Sequence, residues 1–397
     1  MIGYVAEIEQ ELFNILDYWE KKTVDEEFGG FVGQRNHNDI LISHMPKGSV
    51  LNSRILWTFS AAYAFTGKQA HRDLAERAYQ YIRSFFYDGY FGGVYWSVDF
   101  NGQPLDTKKQ TYALAFAIYG LSEYYKISAD QGALDLAVKL YQDIESYCFD
   151  KDNGGYFEAF GRDWQEIKDL RLSEKDANEK KTMNTHLHVI EAYVNLYGVW
   201  QTDGLKSQIK NLLSDFQNRI IDSASKHLIL FMDENWKSKA HIYSFGHDIE
   251  ASWLLLEAAE SIRDEDLINC YKRIAIELAE AALQGLDADG SIWYEHNLTT
   301  SHLNKEKHWW VQAEAMVGVI NAWEISKDDS YLKIAERLWE FINVYVIDHQ
   351  NGEWFWGRTE DLALMEDEDK VGFWKCPYHN TRACLEIIRR VSGKNCL

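Results

Sequence analysis

Apolar side chains recur at helical spacing almost from the first residue of the chain. One helical face near the N-terminus is formed by Val5, Ile8, Leu12, Ile15 and Trp19. Five later segments repeat apolar and polar residues with the same period, and each is predicted to be an amphipathic helix: 74–86, 133–147, 205–221, 266–282 and 331–345. The pattern therefore predicts a mainly α-helical protein.

A second set of predicted helices carries small residues in the middle. These segments alternate with the amphipathic ones and cover 52–63, 110–120, 184–193, 246–253, 310–316 and 378–384. Small side chains allow close packing of neighbouring helices, so this set is expected to be the inner one.

Glycine turns separate the helix pairs. They occur at Gly29, Gly92, Gly154, Gly290 and Gly352, and short aromatic stretches that read as hairpin strands follow them. The turns lie about 62 residues apart with one interval about twice as long, and a weaker turn at 226–228 fills that gap.

Six helix pairs with a glycine turn in each predict a repeat architecture. Because the repeats use up the chain and no polar capping repeat is apparent, we expect the all-α (α/α)6 barrel, a ring of six helix pairs with short β-hairpins in the loops on one face. The chain would then be a single domain over 1–397. An open α-solenoid is the alternative.

Composition narrows the function. The 41 Lys and Arg against 62 Asp and Glu give a net charge of −21, which disfavours nucleic acid and anionic membranes as partners. No stretch approaches a membrane-spanning helix, and the N-terminus does not resemble a signal peptide. Five scattered cysteines without a CxxC pair predict a cytoplasmic protein.

If the inner helices converge, their first turns form the floor of a cleft. The residues they would present are Arg54 and Trp57, Tyr112, the stripe Asn184, His188 and Glu191, then His247 and Glu250, Trp310 and Glu314, and finally Trp374 and His379. His186 lies two positions from His188 and is expected to point elsewhere. Three histidines at corresponding positions indicate chemistry, because packing alone has no reason to prefer them.

Glu250 follows His247 by three residues, so both lie on one helix face. A carboxylate beside an imidazole favours its protonated form and can fix its tautomer. We therefore predict that Glu250 tunes the protonation and the tautomer of His247.

Three chemistries fit these residues to different degrees. A zinc site is possible, but no HExxH or paired-cysteine motif is present. Glycoside hydrolysis needs two carboxylates flanking the bond, and the inward candidates each have a predicted histidine or tryptophan neighbour. Proton abstraction beside a carbonyl fits best, since histidine can remove and return a proton and arginine can stabilise an enediolate. Two histidines on opposite faces of a carbon would give epimerisation without a cofactor, and no GxGxxG or Walker loop is present.

Several long motifs resemble those of the N-acylglucosamine 2-epimerase superfamily over essentially the whole chain. They are Asn52-Ser-Arg54, Asn184-Thr-His-Leu-His188-Val, Ser244-Phe-Gly-His247-Asp-Ile-Glu250, Lys307-His-Trp-Trp310-Val-Gln-Ala-Glu314 and Phe373-Trp374-Lys-Cys-Pro-Tyr-His379-Asn. Within the superfamily the match is best to enzymes that act on β-1,4-linked disaccharides such as cellobiose or lactose.

The resemblance implies an (α/α)6 barrel and 2-epimerisation of the reducing-end glucose through a cis-enediolate. It makes His247 and His379 the acid/base pair and gives His188 a part in ring opening. It also implies that Glu250 tunes His247 and that Arg54 stabilises the enediolate. The implied substrate-binding residues are Tyr112, Asn184, Trp310, Trp374 and, with less support from its loop, Asp176.

The same resemblance implies no cofactor, no metal and a small-molecule disaccharide as the substrate. A monomer is expected, because six repeats that close on themselves leave no obligatory edge. The alternatives within the superfamily are an N-acylglucosamine 2-epimerase and a mannose aldose–ketose isomerase, and a glycoside hydrolase on a helical barrel is more distant.

Overall fold

A computed structural model describes residues 2–393, and within that range the chain forms twelve α-helices. They are α1 (Ile2–Lys22), α2 (Ser49–Thr66), α3 (Gln69–Tyr81), α4 (Thr111–Ser128), α5 (Gln131–Asp143), α6 (Met183–Tyr197), α7 (Asp203–Asp215), α8 (Phe245–Ser261), α9 (Glu265–Ala282), α10 (Trp309–Ser326), α11 (Ser330–Phe341) and α12 (Tyr378–Ser392). The predicted helical segments are all confirmed.

The two predicted sets of helices differ in burial as their sequences indicate. In α2, α4, α6, α8 and α10 the first three turns are almost wholly buried, whereas odd-numbered helices bury only one face. The sequence pattern did not predict how four of the odd-numbered helices, α3, α5, α7 and α11, end. Each passes into one π-helical turn: Ile82–Phe86, Ile144–Cys148, Phe216–Ile220 and Ile342–Val346.

The even-numbered helices contact each other in chain order, and α12 also contacts α2. Each odd-numbered helix from α3 onward packs on the even-numbered helix before it, while α1 packs on α12. Small residues permit the close approach, since a Cβ on Gly120 of α4 would lie 2.6 Å from the Ser53 carbonyl oxygen of α2. The first and last helices of the described chain are thus neighbours.

Six hairpins lie between the helix pairs, one at each predicted glycine turn and one at the weaker turn. The weaker turn is confirmed by an antiparallel bridge between Ile221 and Leu228. The short strands are β1 (Lys47–Gly48), β2 (Ser97–Val98), β3 (Pro104–Asp106), β4 (Lys109–Gln110), β5 (Ala159–Phe160), β6 (Lys181–Thr182), β7 (Phe231–Met232), β8 (Ile242–Ser244), β9 (Glu295–Asn297), β10 (His302–Asn304), β11 (Lys307–His308) and β12 (Gly357–Arg358). Five of them, β1, β4, β6, β8 and β11, run directly into an even-numbered helix.

Buried lysines tie several hairpins to the strands that precede the even-numbered helices. Lys181 is fully buried, and its ammonium donates to Asp150 at 2.8 Å and to the Gly154 carbonyl at 2.7 Å. Matching pairs join Lys47 to Asp25 and Lys109 to Asp88. Because a buried charge without its partner is strongly destabilising, these pairs fix the loops at the N-terminal ends of the even-numbered helices.

The cysteines of the described chain, Cys148, Cys270, Cys376 and Cys384, are free thiols, and Cys396 lies outside the described residues. The cytoplasmic location inferred from them stays a prediction. Between residues 2 and 393, no helix combines the length and the apolar character needed to cross a membrane.

Candidate active site

The N-terminal turns of the even-numbered helices bring most of the predicted site residues together. Arg54 comes from α2, Tyr112 from α4, His188 from α6, His247 from α8 and His379 from α12. Ring contacts join Tyr112 to His188, with centroids 5.0 Å apart, and Phe116, one turn further along α4, to Tyr378, which precedes His379, at 5.4 Å. Residues far apart in sequence therefore share one cluster.

Trp310, at the start of α10, touches two histidines from different helices. Its ring centroid lies 4.8 Å from that of His247 and 5.8 Å from that of His379. Gly246 permits this arrangement, since a Cβ there would lie 2.5 Å from the Trp310 ring. The half-buried indole thus forms a wall against which both imidazoles are held.

His379 is held in one tautomer by a carboxylate. Its Nδ1 lies 2.7 Å from Oε1 of Glu314, and a carboxylate can only accept, so Nδ1 carries the hydrogen. Burial and the neighbouring positive charges, Arg54 foremost, lower the pKa of His379 well below its usual value. The neutral ring then leaves Nε2 free to accept a proton.

His247 has a hydroxyl partner. Its Nδ1 lies 2.7 Å from Oγ of Ser244, a group that can either donate or accept. Burial lowers the pKa of His247 to about 3, with a further contribution from His188. Ser244 therefore supports either tautomer of His247, unlike the fixed tautomer of His379.

The predicted contact between Glu250 and His247 is wrong, because Glu250 has a stronger partner. Its Oε1 accepts a hydrogen bond from Nη2 of Arg382 at 2.7 Å and lies 4.0 Å from Nδ1 of His379. The Arg382 guanidinium is always charged and presents several donors, so Glu250 pairs with it rather than with the His247 imidazole.

Arg382, which the sequence analysis missed, joins three buried carboxylates. Its Nη2 donates to Glu250 at 2.7 Å and to Glu314 at 2.6 Å, while Nη1 donates to Glu191. It follows His379 by three residues on α12, so the same-face rule applied to His379 could have found it. The guanidinium is 2% exposed and neutralises part of a charge cluster that burial would otherwise penalise.

Glu250, Glu314 and His379 could in principle hold a metal ion, since their potential ligand atoms lie within 4.8 Å of one another. In this structure the positive charge at both carboxylates is supplied by Arg382. The donor set is therefore already engaged by a cation of the protein itself.

His188 is oriented by Glu191, as their shared stripe predicts. The His188 Nδ1 lies 2.8 Å from Glu191 Oε2, and Tyr378 donates its hydroxyl to the other oxygen. Although burial opposes ionisation, Arg382 and the hydrogen bond from His188 lower the pKa of Glu191 to about 2. Glu191 is thus an anion that fixes the His188 ring.

Arg54 lies in an aromatic setting. Its Nη2 donates to the Tyr112 hydroxyl at 2.8 Å, and its guanidinium carbon lies 4.1 Å from the Phe116 ring centroid and 4.9 Å from that of Tyr378. The Cys376 thiol lies 3.8 Å from Nη1. Ring faces favour a cation without competing for its donors, and Nε of Arg54 has no partner among the described residues.

The remaining predicted binding residues lie around this cluster. Trp374 is half-buried, with its ring 5.9 Å from that of Tyr112, and the buried Oδ1 of Asn184 has no hydrogen-bond partner within residues 2–393. Asp176 is in the loop after β5, where its Oδ2 accepts from the Ser173 amide and hydroxyl at 2.9 Å. Asp176 is not among the ring and hydrogen-bond contacts that join the others.

His186 is not part of this cluster, as predicted, and its contacts are structural. Its Nδ1 lies 2.6 Å from the Thr182 carbonyl, and its Nε2 accepts from the Tyr156 amide at 2.9 Å. Burial lowers the pKa of His186 to about 4, so the ring stays neutral.

Known proteins resemble this chain over nearly its full length. A family model described as N-acylglucosamine 2-epimerase (GlcNAc 2-epimerase) matches residues 29–383. A cellobiose 2-epimerase of Bacteroides fragilis is 50% identical over 383 residues, covering 96% of this chain and 98% of that protein. One from Ruminococcus albus is 40% identical over 388 residues, covering 97% and 98%.

A solved structure shows the same likeness in three dimensions. The cellobiose 2-epimerase of Bacillus thermoamylovorans matches with a TM-score of 0.94 and 40% identity, and the match covers 98% of this chain and 100% of that one.

Proposed function

Because the chain belongs to the N-acylglucosamine 2-epimerase family and is a carbohydrate epimerase, we propose that it inverts C2 of the reducing-end glucose in β-1,4-linked disaccharides. Cellobiose would become β-glucosyl-mannose. The observation that carries this proposal is the convergence of His247 and His379, from α8 and α12, on the ring of Trp310. Two imidazoles from separate helices are what removal of a proton on one face and return on the other requires.

The proposed architecture is an (α/α)6 barrel with one domain over the whole chain. Its support is the contact of each even-numbered helix with the next, together with the contact of α12 with α2. The reacting residues would then lie at the end of the barrel where the short strands run into the even-numbered helices.

In the proposed reaction, the open-chain aldehyde loses its C2 proton to Nε2 of one histidine. The C–H electron pair forms the C1–C2 double bond of a cis-enediolate, and the carbonyl π pair moves to O1. A proton from the second histidine then adds to the opposite face of C2 while the carbonyl re-forms. Before and after the reaction the pair therefore holds one proton more than two neutral rings, on the donor histidine beforehand and on the acceptor afterwards, and in the enediolate state both rings are protonated. The two roles exchange in the reverse direction.

The first proton acceptor in one direction is His379, since its Nδ1 hydrogen bond to Glu314 leaves Nε2 unprotonated. His247 acts on the other face, and Ser244 accommodates both of its tautomers. Arg54 stabilises the developing negative charge on the enediolate oxygens, because a fixed cation in a buried site interacts strongly with new charge. His188, oriented by Glu191, assists ring opening by moving a proton at the O1/O5 end.

The aromatic walls and free acceptors suit a sugar. Trp310 and Trp374 are half-buried and offer apolar faces to the sugar rings. Asn184 Oδ1 and the Tyr112 hydroxyl are placed to hold sugar hydroxyls, and Asp176 is a further contact from the loop. No redox cofactor is required, since the steps move protons and leave the oxidation state of the sugar unchanged overall.

The proposal is tested by incubating EDTA-treated protein with cellobiose in heavy water and following proton NMR. We expect β-glucosyl-mannose carrying deuterium at C2 and no free glucose. Free glucose would indicate a hydrolase, and no reaction would exclude cellobiose as the substrate. N-acetylglucosamine and mannose, offered in parallel, test the other activities of the superfamily.

Lactose is expected to give epilactose by the same steps, because its reducing sugar is also a 4-substituted glucose. A slower formation of lactulose would follow if the enediolate is protonated at C1 instead of C2. Quantifying both products from lactose by NMR measures how strictly the site returns the proton to C2.

A further inference from the structure

Glu353, in the sixth hairpin, has a left-handed backbone conformation at a position where other hairpins have glycine. In each of these hairpins the amide of an aspartate five residues earlier donates to the carbonyl of this position, which aligns Glu353 with Gly30, Gly93 and Gly155. The φ of Glu353 is 63°, and those of the three glycines are 62°, 67° and 74°. A residue with a Cβ is uncommon in this region because the Cβ crowds the backbone. Strain that is kept where glycine would relieve it indicates that the side chain has a function.

The buried carboxylate of Glu353 accepts hydrogen bonds from four donors. Its Oε1 accepts from Nζ of Lys375 at 2.8 Å and from Nδ2 of Asn380 at 2.7 Å. The same oxygen accepts from the Trp354 amide at 2.8 Å, and Oε2 accepts from Nε1 of Trp19 in α1. Donors from three separate parts of the chain therefore fix this carboxylate in place.

Two of the four donors belong to the segment that carries predicted site residues. Lys375 directly follows Trp374, one of the two rings proposed to contact the sugar. Asn380 directly follows His379 in the first turn of α12. Glu353 thus binds this segment at two points, one beside a sugar-binding ring and one beside a reacting histidine.

Another buried ion pair of the same hairpin lacks this connection. Asp348 pairs with Lys370, in the manner of the lysine–aspartate pairs of other repeats. The other hydrogen bonds of the Asp348 side chain come from amide groups of the hairpin itself. The pair of Lys375 and Glu353 is therefore an addition to the common pair, and it is directed at the segment that leads into α12.

We propose, on the basis of the proposed function, that Glu353 is a positioning residue for the reaction. It keeps His379 in place through Asn380, and Trp374 in place through Lys375. Glu353 acts through these neighbours and does not touch the sugar. Because a displacement of about 1 Å at a reacting group can cost about 100-fold in rate, a fixed anchor behind His379 affects turnover directly.

A displaced His379 affects one half of the reaction more than the other. In the proposed mechanism His379 removes the C2 proton from one of the two sugars, and His247 removes it from the other. Misplacing His379 should therefore slow C2 exchange of one sugar selectively. A general loss of folded protein would slow the exchange of both sugars equally.

The test measures the initial rate of C2 deuteration in heavy water at saturating cellobiose and, separately, at saturating β-glucosyl-mannose. His379→Asn identifies the sugar whose exchange depends on His379. Glu353→Gln keeps the size of the side chain but removes the charge that pairs with Lys375. It should slow exchange of that sugar about 10-fold and of the other by less than about threefold, and the KM of both sugars should rise together.

Asn380→Ala is the second variant, since it removes the link from Glu353 to α12 without leaving a buried charge unpaired. It should shift the ratio of the two exchange rates in the same direction as Glu353→Gln. This variant decides the question if Glu353→Gln does not fold.

Asp348→Asn is the matched control, because it removes the charged partner of a buried lysine from the same hairpin. It should lower the melting temperature, as Glu353→Gln does, because each leaves a buried ammonium without its counter-charge. The ratio of exchange rates and the KM values should stay those of wild type.

A wild-type ratio in folded Glu353→Gln, or in Asn380→Ala if the former does not fold, would refute the positioning role and leave the reaction intact. Equal losses for the two sugars, or the same shift of ratio in Asp348→Asn, would refute it as well. If wild type exchanges C2 of neither sugar, the proposed reaction fails and the positioning role fails with it.

Discussion

Nδ1 of His379 lies 2.7 Å from Oε1 of Glu314, and the same oxygen accepts Nη2 of Arg382 at 2.6 Å. The carboxylate thus orients the proposed base and stabilises the charge that the ring gains on accepting a proton. Glu314→Gln keeps the size and one acceptor but removes the negative charge. We expect kcat to fall about 10-fold to 100-fold with a smaller change in KM.

The matched control for Glu314 is Glu306. Its Oε2 lies 3.0 Å from Nε2 of His308, which is not one of the two reacting histidines. Glu306→Gln should change kcat by less than about threefold. Equal losses in both variants would show that Glu314 has no special part in the reaction.

Arg382 is predicted to hold the site together. In Arg382→Met, Glu191, Glu250 and Glu314 would lose their shared cation, and these buried carboxyl groups would either stay charged without a partner or have to take up protons. The free energy of unfolding should fall by about 3–5 kcal/mol. Arg382→Lys should restore only part of it, since one ammonium lacks the fork that reaches three carboxylates. Denaturant unfolding measures both, and a wild-type midpoint for Arg382→Met would contradict this role.

Gly246 is predicted to set the spacing between His247 and Trp310. A Cβ at this position would lie 2.5 Å from the indole, so Gly246→Ala must displace one of the two. Because small displacements at a reacting centre are costly, kcat should fall about 100-fold while the helical circular dichroism is retained.

Gly204→Ala is the control for this glycine, since in α7 its Cβ would meet only the Tyr141 hydroxyl at 3.9 Å. It should leave kcat unchanged and slightly raise the melting temperature. If Gly246→Ala behaves like Gly204→Ala, the close approach to Trp310 has no catalytic consequence.

His186 makes stability depend on pH. Its pKa falls from 6.5 to about 4 in the folded protein, so only the unfolded chain binds a proton between these values. The free energy of unfolding should therefore decrease as the pH drops from about 6.5 to about 4, by up to about 3 kcal/mol from this residue.

His186→Gln can still accept from the Tyr156 amide and removes the titration, so its loss of stability between pH 7 and pH 4.5 should be smaller than that of wild type. Urea unfolding at the two pH values measures this. In the control, replacing the exposed His241 by Gln should leave the change in unfolding free energy between the two pH values as in wild type. If His186→Gln loses as much stability between them as wild type does, His186 is not the source of the pH dependence.

Much of the fold could be predicted because its signals are local. Apolar periodicity and the glycine turns mark the helix pairs, and Lys226-His227-Leu228 marks the fourth hairpin although it lacks the glycine. The buried lysine–aspartate pairs were missed, since each joins residues about 20 or 30 positions apart without a periodic pattern.

The candidate site could be predicted in its histidines and only partly in its carboxylates. The spacing of His188 and Glu191 gave the correct contact, because no nearer cation competes for that oxygen. The equivalent spacing of His247 and Glu250 gave a wrong one, because Arg382 reaches Glu250 from a helix 132 positions away. Local spacing says which residues share a face but not which distant charge they meet.

The most direct test of the two-histidine account is C2 hydrogen exchange in heavy water with His247→Asn and His379→Asn, starting separately from cellobiose and from β-glucosyl-mannose. Wild type should interconvert the two sugars with deuterium incorporated at C2. Each variant should fail to interconvert them, and each should exchange the C2 hydrogen of one sugar only, the two variants on opposite sugars. Interconversion at the wild-type rate by either variant, or exchange of both sugars by one of them, would contradict the account.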